Sequence, residues 1–182
     1  MKLINKLVLL ALLGMTLTAC KKDTVKPEDP TDKPEVIETN ENDNLTTYMF
    51  NGQSFKDICC DPEDLNNAES LLSQRIIKFA YDQSTVEAEY RDLINIHARY
   101  LSANPTAKMV LEGHADERGT PEYNLALGER RGQSVANLMK AQGASDSQIS
   151  VVSFGEEKPV ALCNDESCWS ENRRVRIVYT AK

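Results

Sequence analysis

One arrangement in this sequence could do chemistry. An arginine lies on the predicted inward side of a helix, and the loop that precedes the helix carries two acids. The stretch 110–135 reads as the end of a strand, a polar loop and a helix that Thr120 caps and Pro121 begins. This helix is expected to close at Gly143. At about 3.6 residues per turn, Arg131 falls at the middle of one helical stripe. That stripe consists of Asn124, Leu127, Arg131, Val135, Leu138 and Gln142.

The charge of this arginine needs compensation on the core side of a helix. A guanidinium keeps its proton, so a buried one needs an anionic partner or an opening onto a cleft. The nearest acids along the chain are Asp116 and Glu117. We therefore predict a carboxylate and a guanidinium that face each other at the mouth of a cleft, where N–H groups at the helix start add weak positive character.

Two glycines, Gly128 and Gly132, lie inside the same helix. Each costs about 1 kcal/mol relative to alanine at such a position, which indicates that something approaches the helix closely. Tight packing against a sheet or a neighbouring loop is the favoured interpretation. Direct approach of a ligand is the alternative.

The composition excludes one class of partner. The 182 residues carry a formal net charge of −7, whereas a nucleic-acid-binding surface needs clustered Lys and Arg to neutralise phosphates. Nucleic acid is therefore not expected as a partner.

The N-terminus has the pattern of an exported, lipid-anchored chain. Residues 1–19 combine two lysines with an apolar run too short to span a bilayer, which is typical of a signal peptide. The segment Leu-Thr-Ala-Cys20 resembles the bacterial lipobox, in which the cysteine is acylated on its sulfur and its amine. Lipidation at Cys20 would anchor the chain stably in a membrane. An ordinary secretory signal with a chance cysteine is the alternative.

A linker and a small extension follow. Residues 20–44 are too polar to fold and predict a disordered tether. In the extension 45–73, Asn51-Gly52 between apolar runs predicts a hairpin, and Asp61-Pro62 begins a short helix that runs to about Leu72. We assign the extension no chemistry and expect it to pack on the main domain.

The main domain, residues 74–182, has the pattern of an α+β fold. Its predicted order is βαβαββ, a two-layer sandwich with helices on one face of a four-stranded mixed sheet. The capping box Ser84-x-x-Glu87 is expected to open the first helix. The predicted strands cover Ile76–Tyr81, Lys108–Glu112, Ile149–Phe154 and Arg174–Thr180.

Catalysis is not predicted. His97 lies on an apolar helical stripe, where core packing is favoured over ligation. His114, Asp116 and Glu117 could form a metal or acid–base cluster, yet the sequence has neither paired metal-ligand spacing nor a nucleophile–base motif. No metal and no cofactor is expected, and the chain is not predicted to be an enzyme.

The five cysteines predict one lipidation site and a disulfide. Cys163 and Cys168 have a spacing that suits a small closed loop in an oxidising compartment. Cys59 and Cys60 are adjacent, and the sequence leaves open whether they pair with each other, with that loop or with another chain. A redox role is the alternative, although no Cys-x-x-Cys spacing occurs.

With these residues in place, about residues 75–180 resemble the OmpA C-terminal domain family. The lipobox and the tether agree with its lipoprotein branch rather than with the branch that carries a barrel. The Cys163–Cys168 loop and the extension are not part of the family pattern. The matching segments are Phe79-x-Tyr-Asp82, the run from Glu112 to Asn124, Leu127-Gly-Glu-Arg-Arg131, the run from Ser153 to Pro159, and Asn172-Arg-Arg174.

This resemblance implies a ligand. Domains of the family hold peptidoglycan noncovalently through the diaminopimelate of its stem peptide, so Asp116 is expected to meet the ligand's ammonium and Arg131 its carboxylate. Such a zwitterionic group needs two opposite charges held apart. Asn172 and Arg173 could serve either the ligand or the fold. The further positions that the resemblance places at the cleft are Asp82, Arg118 and Leu127.

The resemblance also implies a place in the cell. It predicts an outer-membrane lipoprotein, facing the periplasm, that tethers the outer membrane to the cell wall and supports envelope integrity and cell division. Proteins of the Tol system are implied as further partners. The alternative function is an envelope scaffold that binds such proteins without binding the wall.

Overall fold

The computed structural model describes residues 46–182. The predicted signal peptide, the lipidation site Cys20 and the tether 20–44 lie outside the described residues. Within 46–182, no helix has both the length and the apolar character needed to cross a membrane.

Six strands and three α-helices form the regular structure of residues 46–182. The strands are β1 (Thr47–Phe50), β2 (Gln53–Lys56), β3 (Ile76–Lys78), β4 (Lys108–His114), β5 (Ile149–Gly155) and β6 (Arg174–Ala181). The helices are α1 (Arg91–Ala103), α2 (Pro121–Ala141) and α3 (Glu166–Asn172). The sequence pattern does not predict α3, which lies between the last two strands.

The main sheet has the strand order β3-β6-β4-β5. Strands β4 and β5 are parallel, whereas β6 runs antiparallel to both β3 and β4. Helix α1 contacts this sheet through His97, whose Nδ1 lies 2.9 Å from the Tyr179 hydroxyl oxygen. The predicted α+β architecture with a four-stranded mixed sheet is confirmed.

Helix α2 lies close to the sheet because two of its residues lack side chains. A Cβ at Gly128 would lie 2.4 Å from Ser153 Oγ, and one at Gly132 would lie 2.5 Å from Val151 Cγ1. Both contacts are with β5, so packing against the sheet, rather than approach of a ligand, explains these glycines.

The ends of α2 are those that the sequence predicts, but two of the predicted inward positions, Leu138 and Gln142, are exposed. Thr120 Oγ1 accepts a hydrogen bond from Tyr123 N at 3.2 Å, and Gly143 has a φ of +102° just beyond the helix. Leu138, predicted to face inward, is 39% exposed, and Met139 is fully buried instead. Inward positions on a helix recur every three or four residues. The prediction placed the position after Val135 three residues further on, at Leu138, whereas it lies four residues further on, at Met139.

The extension shares one hydrophobic core with the main domain. Asn51 and Gly52 have φ values of +50° and +73°, which form the tight turn between β1 and β2. The predicted short helix is wrong: two 3-10 turns, Pro62–Asn66 and Leu71–Ser73, stand in its place. Leucines in both turns are buried. Between the turns Asn67 and Ser70 are extended, with ψ values of 114° and 137°, and Lys56 N donates to Glu69 O at 2.7 Å, so the helix is interrupted there.

The segment between β3 and α1 also differs from prediction. Strand β3 ends at Lys78, and α1 begins only at Arg91 after a 3-10 turn, so the predicted capping box does not form. The carbonyl oxygens of Ala80 and Gln83 instead accept hydrogen bonds from Arg131. These hydrogen bonds fix the path of the chain just before Ser84.

Candidate functional site

A cavity of about 120 Å³ opens between the segment after β3, the loop after β4 and the start of α2. Five of the seven predicted binding residues line it: Asp82, Asp116, Arg118, Leu127 and Arg131. The other lining residues are Tyr81, Ala115, Gly119, Tyr123 and Asn124.

Arg131 is fully buried at the inner end of this cavity. Main-chain carbonyls surround its guanidinium: Nε donates to Gln83 O at 2.8 Å, Nη1 to His114 O at 2.8 Å and Nη2 to Ala80 O at 3.2 Å. Burial, and then the charge of Arg173, lowers the pKa of Arg131 to about 10, so it stays protonated at neutral pH.

The predicted contact partner of Arg131 is therefore wrong, although the predicted cleft is present. Carbonyl dipoles, not the Asp116 or Glu117 carboxylate, make the direct hydrogen bonds. A guanidinium has five N–H donors, and these three bonds leave two for a ligand.

Asp116 is 4% exposed and accepts hydrogen bonds from two arginines. Oδ1 accepts from Arg118 N at 3.1 Å and Arg118 Nε at 2.9 Å, and Oδ2 accepts from Arg118 Nη2 at 2.7 Å and Arg173 Nη1 at 3.2 Å. Burial alone would raise the pKa of Asp116, but these bonds outweigh it and hold the pKa below its usual value. The carboxylate is therefore ionised, with all of its about four acceptor positions occupied.

Arg118 lies between two aromatic rings at the cavity mouth. Its guanidinium carbon is 4.0 Å from the centre of the Tyr81 ring and 4.2 Å from that of Trp169. Its Nη2 is also 3.5 Å from Glu166 Oε2. Stacking on both sides and a two-point contact with Asp116 fix this side chain in one position.

Asp82 supplies the second carboxylate of the cavity. It has a positive φ of +55°, which is uncommon for a residue with a side chain. One of its oxygens, Oδ1, accepts a hydrogen bond from the Tyr123 hydroxyl, and that hydrogen bond is the main cause of the raised pKa of Tyr123. Within residues 46–182, Oδ2 has no protein partner, so it is the open acceptor on this side.

The two remaining predicted residues have different roles. Arg173 lies behind the cavity, where it donates to Asp116, to Glu166 and, at 2.9 Å, to Phe79 O. Asn172 is not brought to the cavity. Its amide accepts from Val160 N at 2.8 Å and donates to Ala161 O at 2.8 Å, so it holds the preceding loop.

Two disulfides are present in the described part of the chain. Cys163 and Cys168 are bonded, as predicted, and close the loop from which α3 begins. Cys59 and Cys60 are bonded to each other, which answers the question that the sequence leaves open.

Neither histidine lines the cavity. His97 is fully buried, and burial lowers its pKa to about 3. His114 stacks on Phe154 with 5.5 Å between ring centres. Burial, and then the charges of Arg174 and Lys158, lowers its pKa to about 4. Residues 46–182 contain no group of three or more His, Cys, Asp or Glu side chains that could hold a metal.

Sequence reasoning missed the aromatic and acidic contacts around Arg118. Tyr81, Trp169 and Glu166 reach it from two different segments. Trp169 is the one tryptophan of the chain and follows Cys168 directly, and this was the available signal.

The sheet, the covering helices and the cavity define an OmpA-like domain. The OmpA family model matches residues 78–174. That match covers more than half of the chain, so the chain belongs to the OmpA family, as the resemblance in its sequence predicts.

Within this family the chain is similar to peptidoglycan-associated lipoproteins. That of Pasteurella multocida is 41% identical over 139 residues, which are 75% of this chain and 83% of the relative. That of Pseudomonas putida is 50% identical over 113 residues, 62% of this chain and 68% of the relative. The crystal structure of the peptidoglycan-associated lipoprotein from Burkholderia pseudomallei superposes with a TM-score of 0.63 at 43% identity and covers 64% of this chain and 98% of that one.

Proposed function

We propose that this chain is an outer-membrane lipoprotein, lipidated at Cys20 and facing the periplasm, which binds peptidoglycan noncovalently through the diaminopimelate of the stem peptide. In this proposal residues 1–19 are a signal peptide, 20–44 a tether, 45–73 an extension and 74–182 the binding domain. The protein then joins the outer membrane to the cell wall and supports envelope integrity and cell division.

One observation carries this proposal: Arg131 and two carboxylates, Asp82 and Asp116, line the same cavity. The amino-acid end of diaminopimelate carries an ammonium and a carboxylate on one carbon. A cavity with a buried cation at one side and acids at the other can hold both groups in one orientation.

Each charge then has a defined task. The ligand's carboxylate takes the two N–H donors of Arg131 that the main chain leaves unused. Asp82 offers its open oxygen to the ammonium, while Asp116, whose acceptor positions are filled by Arg118 and Arg173, contributes negative charge nearby. Leu127, which is 5% exposed, provides apolar contact to the aliphatic part of the ligand.

Binding, rather than catalysis, is the proposed activity. The charged groups of the cavity are fixed by hydrogen bonds. Both are ionised at neutral pH, because the pKa of Asp116 is lowered and that of Arg131, although burial lowers it to about 10, stays well above neutral. Such groups hold a ligand by charge and do not exchange protons with it.

Cosedimentation with purified cell-wall sacculi tests the proposal. Wild-type protein should pellet with sacculi, and Asp82→Ala and Arg131→Ala should remain in the supernatant. Glu129→Ala, on the outer side of α2, is the matched control and should pellet. Wild-type-like pelleting of both cavity variants would refute the assignment of the site.

Proteins of the Tol system are proposed as additional partners. The alternative function, a scaffold for such proteins without wall binding, predicts a different result in the same assay. Neither wild-type protein nor any variant would then pellet with sacculi.

A further inference from the structure

Helix α3 reaches the binding cavity from the loop between β5 and β6. Trp169 Nε1 donates to Glu117 Oε1 at 3.1 Å, and the Trp169 ring lies against Arg118. One side chain thus touches two consecutive residues of the loop after β4. The loop before α3 is closed by the Cys163–Cys168 disulfide, and Cys163 N donates to Cys168 Sγ at 3.1 Å.

We propose that Trp169 is a positioning residue of the cavity, and that the Cys163–Cys168 disulfide keeps its ring against Arg118. In this role Trp169 contacts no ligand. It confines the Arg118 guanidinium between two rings, and Arg118 in turn holds Asp116. This inference rests on the proposed function, because it assigns the residue that prepares that site.

The physical basis is pre-organisation. An arginine side chain at a cavity mouth has many rotamers, and one that swings into the cavity competes with the ligand's ammonium for the carboxylates. Stacking removes these alternatives before the ligand arrives, so less conformational entropy is lost on binding. Tyr81 alone cannot do this, since it is 57% exposed and covers one face of the guanidinium.

The disulfide has a specific part in this arrangement. Helix α3 has two turns and little burial of its own, with Asn172 as its buried residue, so its position depends on what holds its ends. Asn172 and Arg173 hold the C-terminal end. The disulfide ring holds the N-terminal end, where a short ring restricts the loop.

Fluorescence of the free protein tests the disulfide's part without any ligand, since Trp169 is the one tryptophan of the chain. The double variant Cys163→Ser/Cys168→Ser should show a red-shifted emission, because the ring leaves Arg118 for water. Cys59→Ser/Cys60→Ser removes the other disulfide and should emit as wild type does. Unchanged emission in the first double variant would overturn the role of the disulfide.

The positioning role is tested by affinity and by titration. Trp169→Ala should lower the affinity for a soluble muropeptide with a diaminopimelate stem peptide by about three- to tenfold, whereas Trp169→Tyr keeps a ring and should stay within about twofold. In the free protein, Trp169→Ala should move the carboxyl titration of Asp116, followed by carbon NMR, to higher pH. The charged groups around Asp116 are Arg118, Arg173, Arg131 and Glu166.

A double-mutant cycle separates positioning from general loosening. In an Arg118→Ala background, Trp169→Ala should have almost no further effect on affinity, because there is no guanidinium left to confine. An undiminished loss there, or wild-type affinity and Asp116 titration in Trp169→Ala, would overturn the inference. If wild-type protein does not bind the muropeptide, the proposed function fails, while fluorescence and titration still decide whether Trp169 confines Arg118.

Discussion

At one end of the cavity Arg131 is held by main-chain carbonyls, whereas at the other end Asp116 is held by arginine side chains. The carbonyls belong to the segment after β3 and to the end of β4, so the Arg131 site is set by the path of the chain. The Asp116 site is set by arginine side chains, which a substitution can replace without moving the backbone. The first end therefore serves the fold as well as the proposed ligand, and the second can be altered with less loss of stability.

The largest expected effect is at the main-chain end. Arg131→Ala leaves three inward carbonyls without their donor and should lower the free energy of unfolding by about 3 kcal/mol or more. Arg131→Lys should recover little, because an ammonium cannot match the directions of a guanidinium. Urea denaturation measures both variants. Arg130→Ala, the exposed neighbour, is the control, and a comparable loss in that variant would contradict the assignment to carbonyl contacts.

At the side-chain end the expected loss of stability is smaller. Asp116→Ala removes a carboxylate that pairs with Arg118 and Arg173, and should cost about 2 kcal/mol, in the range of hydrogen bonds to charged groups. Thermal and urea unfolding measure it. Asp146→Ala breaks an exposed ion pair with Lys140 and should change stability by about 0.5 kcal/mol or less. A loss for Asp116→Ala as large as that for Arg131→Ala would remove the distinction between the two ends.

Stability measured over a pH series tests the Arg131 end through His114. The main-chain carbonyl of His114 accepts a hydrogen bond from Arg131. Burial and nearby cations lower the folded-state pKa of His114 from 6.5 to about 4, so the unfolded chain binds more protons between these values. Stability should therefore fall as the pH drops from about 6.5 to 4. His97, with a pKa of about 3, acts in the same direction.

The matched variants should separate the two ends. His114→Phe keeps the stacking on Phe154 and should flatten the stability profile in that window to the slope that His97 alone contributes. Asp116→Asn should leave that window unchanged, because the Asp116 carboxyl titrates below its usual pKa of 3.8 and its stabilisation is lost only at lower pH. Equal flattening in the two variants would show that the ends are not independent.

The smallest expected effect concerns the N-terminal cap of helix α2. Thr120 Oγ1 caps α2, and Thr120→Ala should cost about 1 kcal/mol. Thr120→Ser keeps the hydroxyl and should lie within a few tenths of a kcal/mol of wild type. If the two variants unfold at the same denaturant concentration, the cap does not contribute.

Elements with a strong local signal were predictable. Thr120-Pro121 and Gly143 bound α2 as their cap chemistry requires, and Asn51-Gly52 forms a turn that needs two positive φ values. Errors occurred where distant segments compete for the same backbone. The predicted short helix is interrupted where Glu69 O accepts a hydrogen bond from Lys56 N, and the backbone of Ala80 and Gln83 is fixed by Arg131, a donor about 50 residues away that no local pattern shows.

By itself, the sequence determined the α+β class, the order of the four main strands with α1 and α2, and the burial of one arginine on α2, since periodicity and capping act over a few residues. Only the tertiary structure decided the hydrogen-bond and stacking partners of the charged groups. These are main-chain carbonyls for Arg131, arginine side chains for Asp116, and two aromatic rings for Arg118. Hydrogen bonds and stacking depend on directions and separations of a few ångströms, and these exist only once segments far apart in the chain are packed together.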